Sequence, residues 1–131
     1  MLGIDGGKPG TLITYFERDP KIVRPARIGP GQTHHFAFAV ANADVQLEYR
    51  ERLIKAGLRV SPVMDRVYFK SIYTNDPDGH IVEIATAGPG FTVDEPVANL
   101  GSCLKLPPWL ESVRTEIEQV APPLTVEGLG R

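Results

Sequence analysis

Thr33-His34-His35-Phe36-Ala37-Phe38-Ala39-Val40 is the stretch whose reading decides the fold. Successive side chains of a strand point to opposite faces, so His34, Phe36, Phe38 and Val40 share one face and Thr33, His35, Ala37 and Ala39 the other. One face is bulky and apolar, the other small and polar. Such a strand suits a position covered by a helix on one side and lining a cavity on the other. His34 then falls beside the helix with the two phenylalanines, and His35 falls in the cavity.

The residues that follow supply the helix. Asn42 or Asp44 can accept hydrogen bonds from the free N–H groups that open it, and Gly57 tolerates the left-handed backbone that closes it. Between them Val45, Tyr49, Leu53 and Ala56 form a stripe expected to cover the Phe36/Phe38 face. Three further strands are predicted at Leu58–Pro62, Arg66–Asn75 and His80–Thr86, the last two joined by Asp76-Pro77-Asp78-Gly79, whose residue types favour a tight turn. The order is β-α-β-β-β.

Upstream, residues 11–17 are rich in β-branched and aromatic types after Pro9-Gly10 and predict a strand, followed by a basic, proline-containing connector over 18–32. Lys8-Pro9-Gly10-Thr11-Leu12-Ile13 loosely echoes Asp78-Gly79-His80-Ile81-Val82, as if the first strand closed a preceding, absent module. Whether strand 11–17 pairs in its own sheet or with a partner is open. Downstream, Pro107-Pro108 fits the start of a helix over about 108–120, with Trp109, Val113, Ile117 and Val120 on one side, packed against the sheet or a partner subunit.

The 131 residues, 42% of them apolar, suit one α+β domain over 1–131 with a complete module at about 33–90. The 14 basic and 16 acidic side chains are spread along the chain, which argues against a nucleic-acid or anionic-membrane partner. The single cysteine, Cys103, has no partner for an internal disulfide. Without a signal-peptide core or a transmembrane stretch, a cytoplasmic protein is expected.

On the final strand Glu83 shares its face with Ile81 and Ala85, an apolar setting for a carboxylate. If strands 33–40 and 80–86 are neighbours, His35 and Glu83 can converge on one divalent cation; imidazole plus carboxylate suits iron, manganese, nickel or zinc. A hydrogen-bonded structural histidine and a glutamate on a solvated face are the alternatives that the pattern leaves open.

The run His34–Val40, then a helix, then Tyr73-Thr74-Asn75-Asp76-Pro77-Asp78-Gly79-His80-Ile81-Val82-Glu83 resembles the vicinal oxygen chelate superfamily of glyoxalases, bleomycin-resistance proteins and extradiol dioxygenases. More narrowly, Ser61–Tyr73, Glu83–Glu95, Leu106–Leu110 and Ala121–Leu124 resemble the C-terminal part of bacterial ring-cleaving dioxygenases of the hydroquinone type. The resemblance implies a βαβββ sheet curved into a cup, with His35 and Glu83 as metal ligands and Tyr73 as a substrate-contacting residue. Tyr73 also reads as an aromatic core residue of a β-rich sheet.

Two departures accompany it. Where extradiol enzymes carry an acid–base histidine, this chain has Val63-Met64-Asp65-Arg66, so Asp65 is the available proton acceptor. The further histidine ligand comes, in that family, from another module; His80, whose side chain is expected to face away from Glu83, does not replace it. A homodimer pairing two modules would bring a second His35/Glu83 pair. The function implied is an Fe(II)- or Mn(II)-dependent dioxygenase acting on a small aromatic diol. The alternatives are a glyoxalase-like isomerase or lyase using Ni or Zn on a carbonyl substrate, and a non-catalytic binding remnant.

Overall fold

The computed structural model describes residues 2–3, 5–19 and 21–122. Six strands and two α-helices run in the order β1 (Leu2–Gly3), β2 (Leu12–Ile13), β3 (His35–Val40), α1 (Ala43–Lys55), β4 (Met64–Asp65), β5 (Lys70–Asn75), β6 (Ile81–Thr86) and α2 (Arg114–Val120). The main sheet has the order β3-β6-β5-β4. The first strand of the βαβββ module thus lies parallel to the last, with Ala37 paired to Glu83, and β5 runs antiparallel to β6 with Tyr73 opposite Glu83. The fold class expected from the sequence, a mixed α+β module, is the one observed.

Helix α1 begins and ends where its caps dictate. The Asn42 Oδ1 accepts from the Val45 N–H at 3.0 Å, Asp44 lies in the positive first turn, and Arg52 and Lys55 lie in the negative last turn. At the other end Gly57 takes φ 84° while its N–H and that of Leu58 donate back to the carbonyls of Ile54 and Leu53. This is the paired bonding of a Schellman closure.

The stripe that α1 buries differs from the apolar one expected. Tyr49 is exposed, whereas Gln46 is wholly buried and donates through Nε2 to the carbonyls of Lys70 and Ile84, both at 2.8 Å. Gln46 fits because its amide meets two backbone acceptors on adjacent strands, a tertiary circumstance that helical periodicity does not encode. Among the described residues the buried large apolar side chains are Ile72 and Ile84, so the core beneath α1 is small.

The other strand expectations need correction. Among the described residues, strand 11–17 shrinks to Leu12–Ile13, paired antiparallel with Leu2–Gly3. Leu58–Pro62 forms no ladder. Ser61 donates its N–H to the Tyr73 carbonyl, but the return bond, from the Tyr73 N–H, goes to the Ser61 Oγ. Pro62, with no N–H, ends the pairing there. Arg66–Asn75 is not one strand but part of a hairpin: the chain reverses at 66–69, where Val67 sits at φ 68° and Arg66 N–H donates to the Phe69 carbonyl.

The β5–β6 turn is as expected. Asp76 Oδ1 accepts from the N–H groups of Asp78 and His80, and Gly79 takes φ 92°. In the tail, Pro107-Pro108 opens a 3-10 segment, Pro108–Val113, that leads into α2. Its chief neighbour is that segment rather than the sheet, and Trp109 and Val120 stand out in solvent. Pro123 and Leu124 of the tail motif lie outside the described residues. No helix among the described residues is long and apolar enough to cross a membrane.

Candidate metal centre

The sheet geometry brings together three of the four residues singled out from sequence. Because β3 and β6 pair in parallel with Ala37 beside Glu83, His35 lies one step along the same face and its ring reaches the carboxylate: His35 Nε2 is 3.0 Å from Glu83 Oε2. Tyr73, directly opposite Glu83 on β5, donates its hydroxyl to the other oxygen, Oε1, at 2.9 Å. The carboxylate is buried, at 5% side-chain exposure, while the His35 ring is 40% exposed. One oxygen is thus fixed from the sheet side, and the second turns toward the imidazole at the cavity floor.

A buried carboxylate needs partners, and this one holds two. The Tyr73 oxygen in turn accepts from Ser71 Oγ at 3.0 Å and from Arg66 Nη2 at 3.2 Å, and the Arg66 guanidinium lies 5.5 Å from the Tyr73 ring centroid. Ser71 is fully buried. The chain of donors Arg66 and Ser71 to Tyr73, then Tyr73 to Glu83, orients the carboxylate in a single direction.

Asp65 is not part of this constellation. Opposite Lys70 on β4, it lies on the other face of the sheet from Ser71 and Tyr73, and its Oδ1 accepts from the Val67 N–H at 2.7 Å, closing the turn. Its neighbour Arg66 is the residue that reaches the site. Ser71 was not singled out. Its alternation with Tyr73 on a strand already assigned was the available signal.

His34 departs from expectation, whereas His80, as expected, does not join Glu83. His34 is exposed and not buried beside α1, because the β3 ladder begins only at His35 and residue 34 is free of the strand's alternation. Its Nδ1 lies 2.8 Å from His35 Nδ1, one ring donating to the other. With the His35 Nε2–H directed at Glu83, His34 is the donor to the His35 Nδ1. His80 lines the cavity at its turn end, with Nδ1 3.2 Å from Asp76 Oδ2, and does not join Glu83.

The donor set fits a divalent cation in part. A nitrogen and an oxygen 3.0 Å apart match neighbouring ligands on one ion with bonds of about 2.1 Å. Among the described residues no third histidine, cysteine or carboxylate completes a cluster. Above the pair lies an open cavity of about 740 Å³, lined by His34, His35, Arg66 and Tyr73 on the strand side and by Ala26, Arg27 and Ile28 from the connector.

A βαβββ sheet with a histidine on its first strand and a glutamate on its last defines a class, and the sequence profile of the glyoxalase/bleomycin resistance protein/dioxygenase superfamily matches residues 2–84. The chain belongs to that superfamily. Among curated proteins it is 39% identical over 118 residues to MhqA of Bacillus subtilis, named as a ring-cleaving dioxygenase, covering 90% of this chain and 37% of that protein. It is also 39% identical over 118 residues to the chlorohydroquinone/hydroquinone 1,2-dioxygenase of Sphingobium indicum, covering 86% of this chain and 35% of the relative. A crystal structure from Bacillus subtilis, titled as a dioxygenase, superposes with a TM-score of 0.74 at 38% identity, over 78% of this chain and 33% of that one. The chain spans little more than a third of the length of these relatives.

Proposed function

We propose that this chain carries half of the metal site of a ring-cleaving, extradiol-type dioxygenase acting on a hydroquinone- or catechol-like diol. The observation that carries the reading is the convergence of His35 Nε2 and Glu83 Oε2 at 3.0 Å, with Tyr73 holding the other carboxylate oxygen, at the floor of an open cavity. Relatives named as ring-cleaving dioxygenases support the reaction class.

His35 and Glu83 would hold the cation, Fe(II) or Mn(II) by the chemistry proposed. When bound, it supplies Lewis acidity and open positions for the two vicinal oxygens of a catechol or for one oxygen of a hydroquinone. The protein's own part is orientation. Tyr73 keeps Glu83 from rotating, His34 would accept the Nδ1 proton of a metal-bound His35, and the Arg66 cation beside the Tyr73 hydroxyl favours negative charge on a substrate oxygen placed there. Arg66 supplies a cation and hydrogen-bond donors there, a role different from the proton acceptor expected of Asp65.

The remaining ligands would come from a second copy or another module. Supporting this, β3 stands at the sheet edge, and Ala37 and Ala39 on its cavity face are exposed. Reconstitution with Fe(II) or Mn(II), followed by oxygen uptake with substituted hydroquinones and by sedimentation to count copies, tests the proposal. Loaded protein that takes up no oxygen would refute it. Anaerobic turnover of a carbonyl substrate with Ni or Zn would point to the isomerase chemistry instead.

A further inference from the structure

The cavity above His35 and Glu83 has a one-sided charge inventory. Its lining carries two guanidinium groups, Arg27 and Arg66, and all three histidines of the chain, but no carboxylate, in a protein whose net charge is -2. The acidic groups nearest in the fold are committed elsewhere. Glu83 lies beneath the lining, held by His35 and Tyr73. Asp76 binds the backbone of the β5–β6 turn and the His80 ring, and Asp78 lines a separate depression with Tyr15 and Phe16.

The two arginines differ in their duties. Arg66 donates to Tyr73 and Ser71. Arg27 has no hydrogen-bond or ion-pair partner among the described residues. Nor does it ride on an unanchored loop: the Ala26 N–H donates to the Asp78 carbonyl at 2.8 Å, and the Ala26 carbonyl lies 3.6 Å from where a Cβ on Gly79 would stand. The connector is thereby pinned to the β5–β6 turn, and Arg27 forms a wall of the same cavity that has His35 and Tyr73 on its other side. Like charges facing one hollow repel, and an anion between them removes that cost. Two guanidiniums also suit planar carboxylates by fork-shaped pairing.

Size points the same way. A volume of about 740 Å³ falls in the range of roughly 300–1,000 Å³ that holds drug-sized ligands, more than an unsubstituted ring requires. We propose that Arg27 forms an anion subsite for a substituent of the ring, so that the preferred ligand is an aromatic diol bearing a carboxylate or similar anionic group. The proposal rests on the diol-binding reading above and assigns the diol end to His35, Glu83 and Tyr73 and the anionic end to Arg27.

Calorimetric titration of a dihydroxybenzoate and its uncharged methyl ester into the metal-free and Mn(II)-loaded full chain tests it. The acid should bind about fivefold more tightly than the ester at low salt, a modest factor because Arg27 is exposed, and the preference should shrink as salt is added. Arg27→Gln should bring the two ligands to parity, and Arg27→Lys should restore most of the preference. Equal binding of acid and ester by the unmodified protein, no binding of either, or a preference unchanged in Arg27→Gln would overturn the proposal. Oxygen uptake, measured separately, distinguishes the two readings: a charge preference that follows Arg27 without oxygen uptake leaves the subsite standing and removes the dioxygenase.

Discussion

Glu83→Gln separates the structural from the metal-binding duty of the buried carboxylate. The glutamine keeps the shape, so its Oε1 still accepts from Tyr73 and its amide can face His35, and the metal-free protein should lose little stability. What it loses is an anionic ligand from a site with two donors. For the unmodified protein, a metal at a concentration one hundred times its dissociation constant adds about 2.7 kcal/mol of stability. If the substitution weakens binding about a hundredfold, the same metal concentration equals the new dissociation constant and adds only about 0.4 kcal/mol. At this chain length the first figure corresponds to a rise in Tm of roughly 10 °C and the second to about 2 °C. Differential scanning calorimetry with and without Mn(II), under anaerobic conditions for Fe(II), reads both. Equal metal-induced shifts in the two proteins would refute the assignment of Glu83 as a ligand, and no shift in the unmodified chain would refute the site itself.

Tyr73→Phe leaves Glu83 without its donor and deprives Ser71 and Arg66 of an acceptor, so urea unfolding should show a loss of about 1–2 kcal/mol; a change near zero would mean the network is an ornament of the unliganded state. Gln46→Ala removes a buried donor from the Lys70 and Ile84 carbonyls and opens a cavity under α1, with an expected cost of about 3 kcal/mol by the same measurement. In the tail, the hydrogen bond from Arg114 holds the Glu111 carboxyl below its ordinary value. Its contribution is therefore present above the unfolded-state value and lost as pH falls through the lowered native one, and Glu111→Gln should remove that part of the acid sensitivity of α2, followed by circular dichroism.

Much of the module was legible because its signals are local. Alternation over 33–40 and 80–86, the Asn42 or Asp44 cap, Gly57 and the Asp76–Gly79 turn each depend on a few neighbouring residues; the strands form at His35–Val40 and Ile81–Thr86, and Asn42 is the cap. The long strand at 66–75 failed for an equally local reason in reverse. Val67 at φ 68° is a turn residue of a type that favours strands, so composition pointed the wrong way. The single strand drawn through 66 also hid that Arg66 and Asp65 part company, one reaching over Tyr73 and the other closing the turn.

The sequence by itself determined which side chains share a face within each strand: His35 with Ala37 and Ala39, and Glu83 with Ile81 and Ala85, because successive side chains of a strand alternate. It did not determine that β3 lies against β6, nor their register, since pairing between segments more than forty residues apart is selected by packing of the whole sheet under α1. That adjacency turns a histidine and a glutamate into a pair 3.0 Å apart. It also decided that Arg66 and His34 flank the pair, that Asp65 does not, and that the helix is anchored by a buried glutamine whose two acceptors lie on different strands.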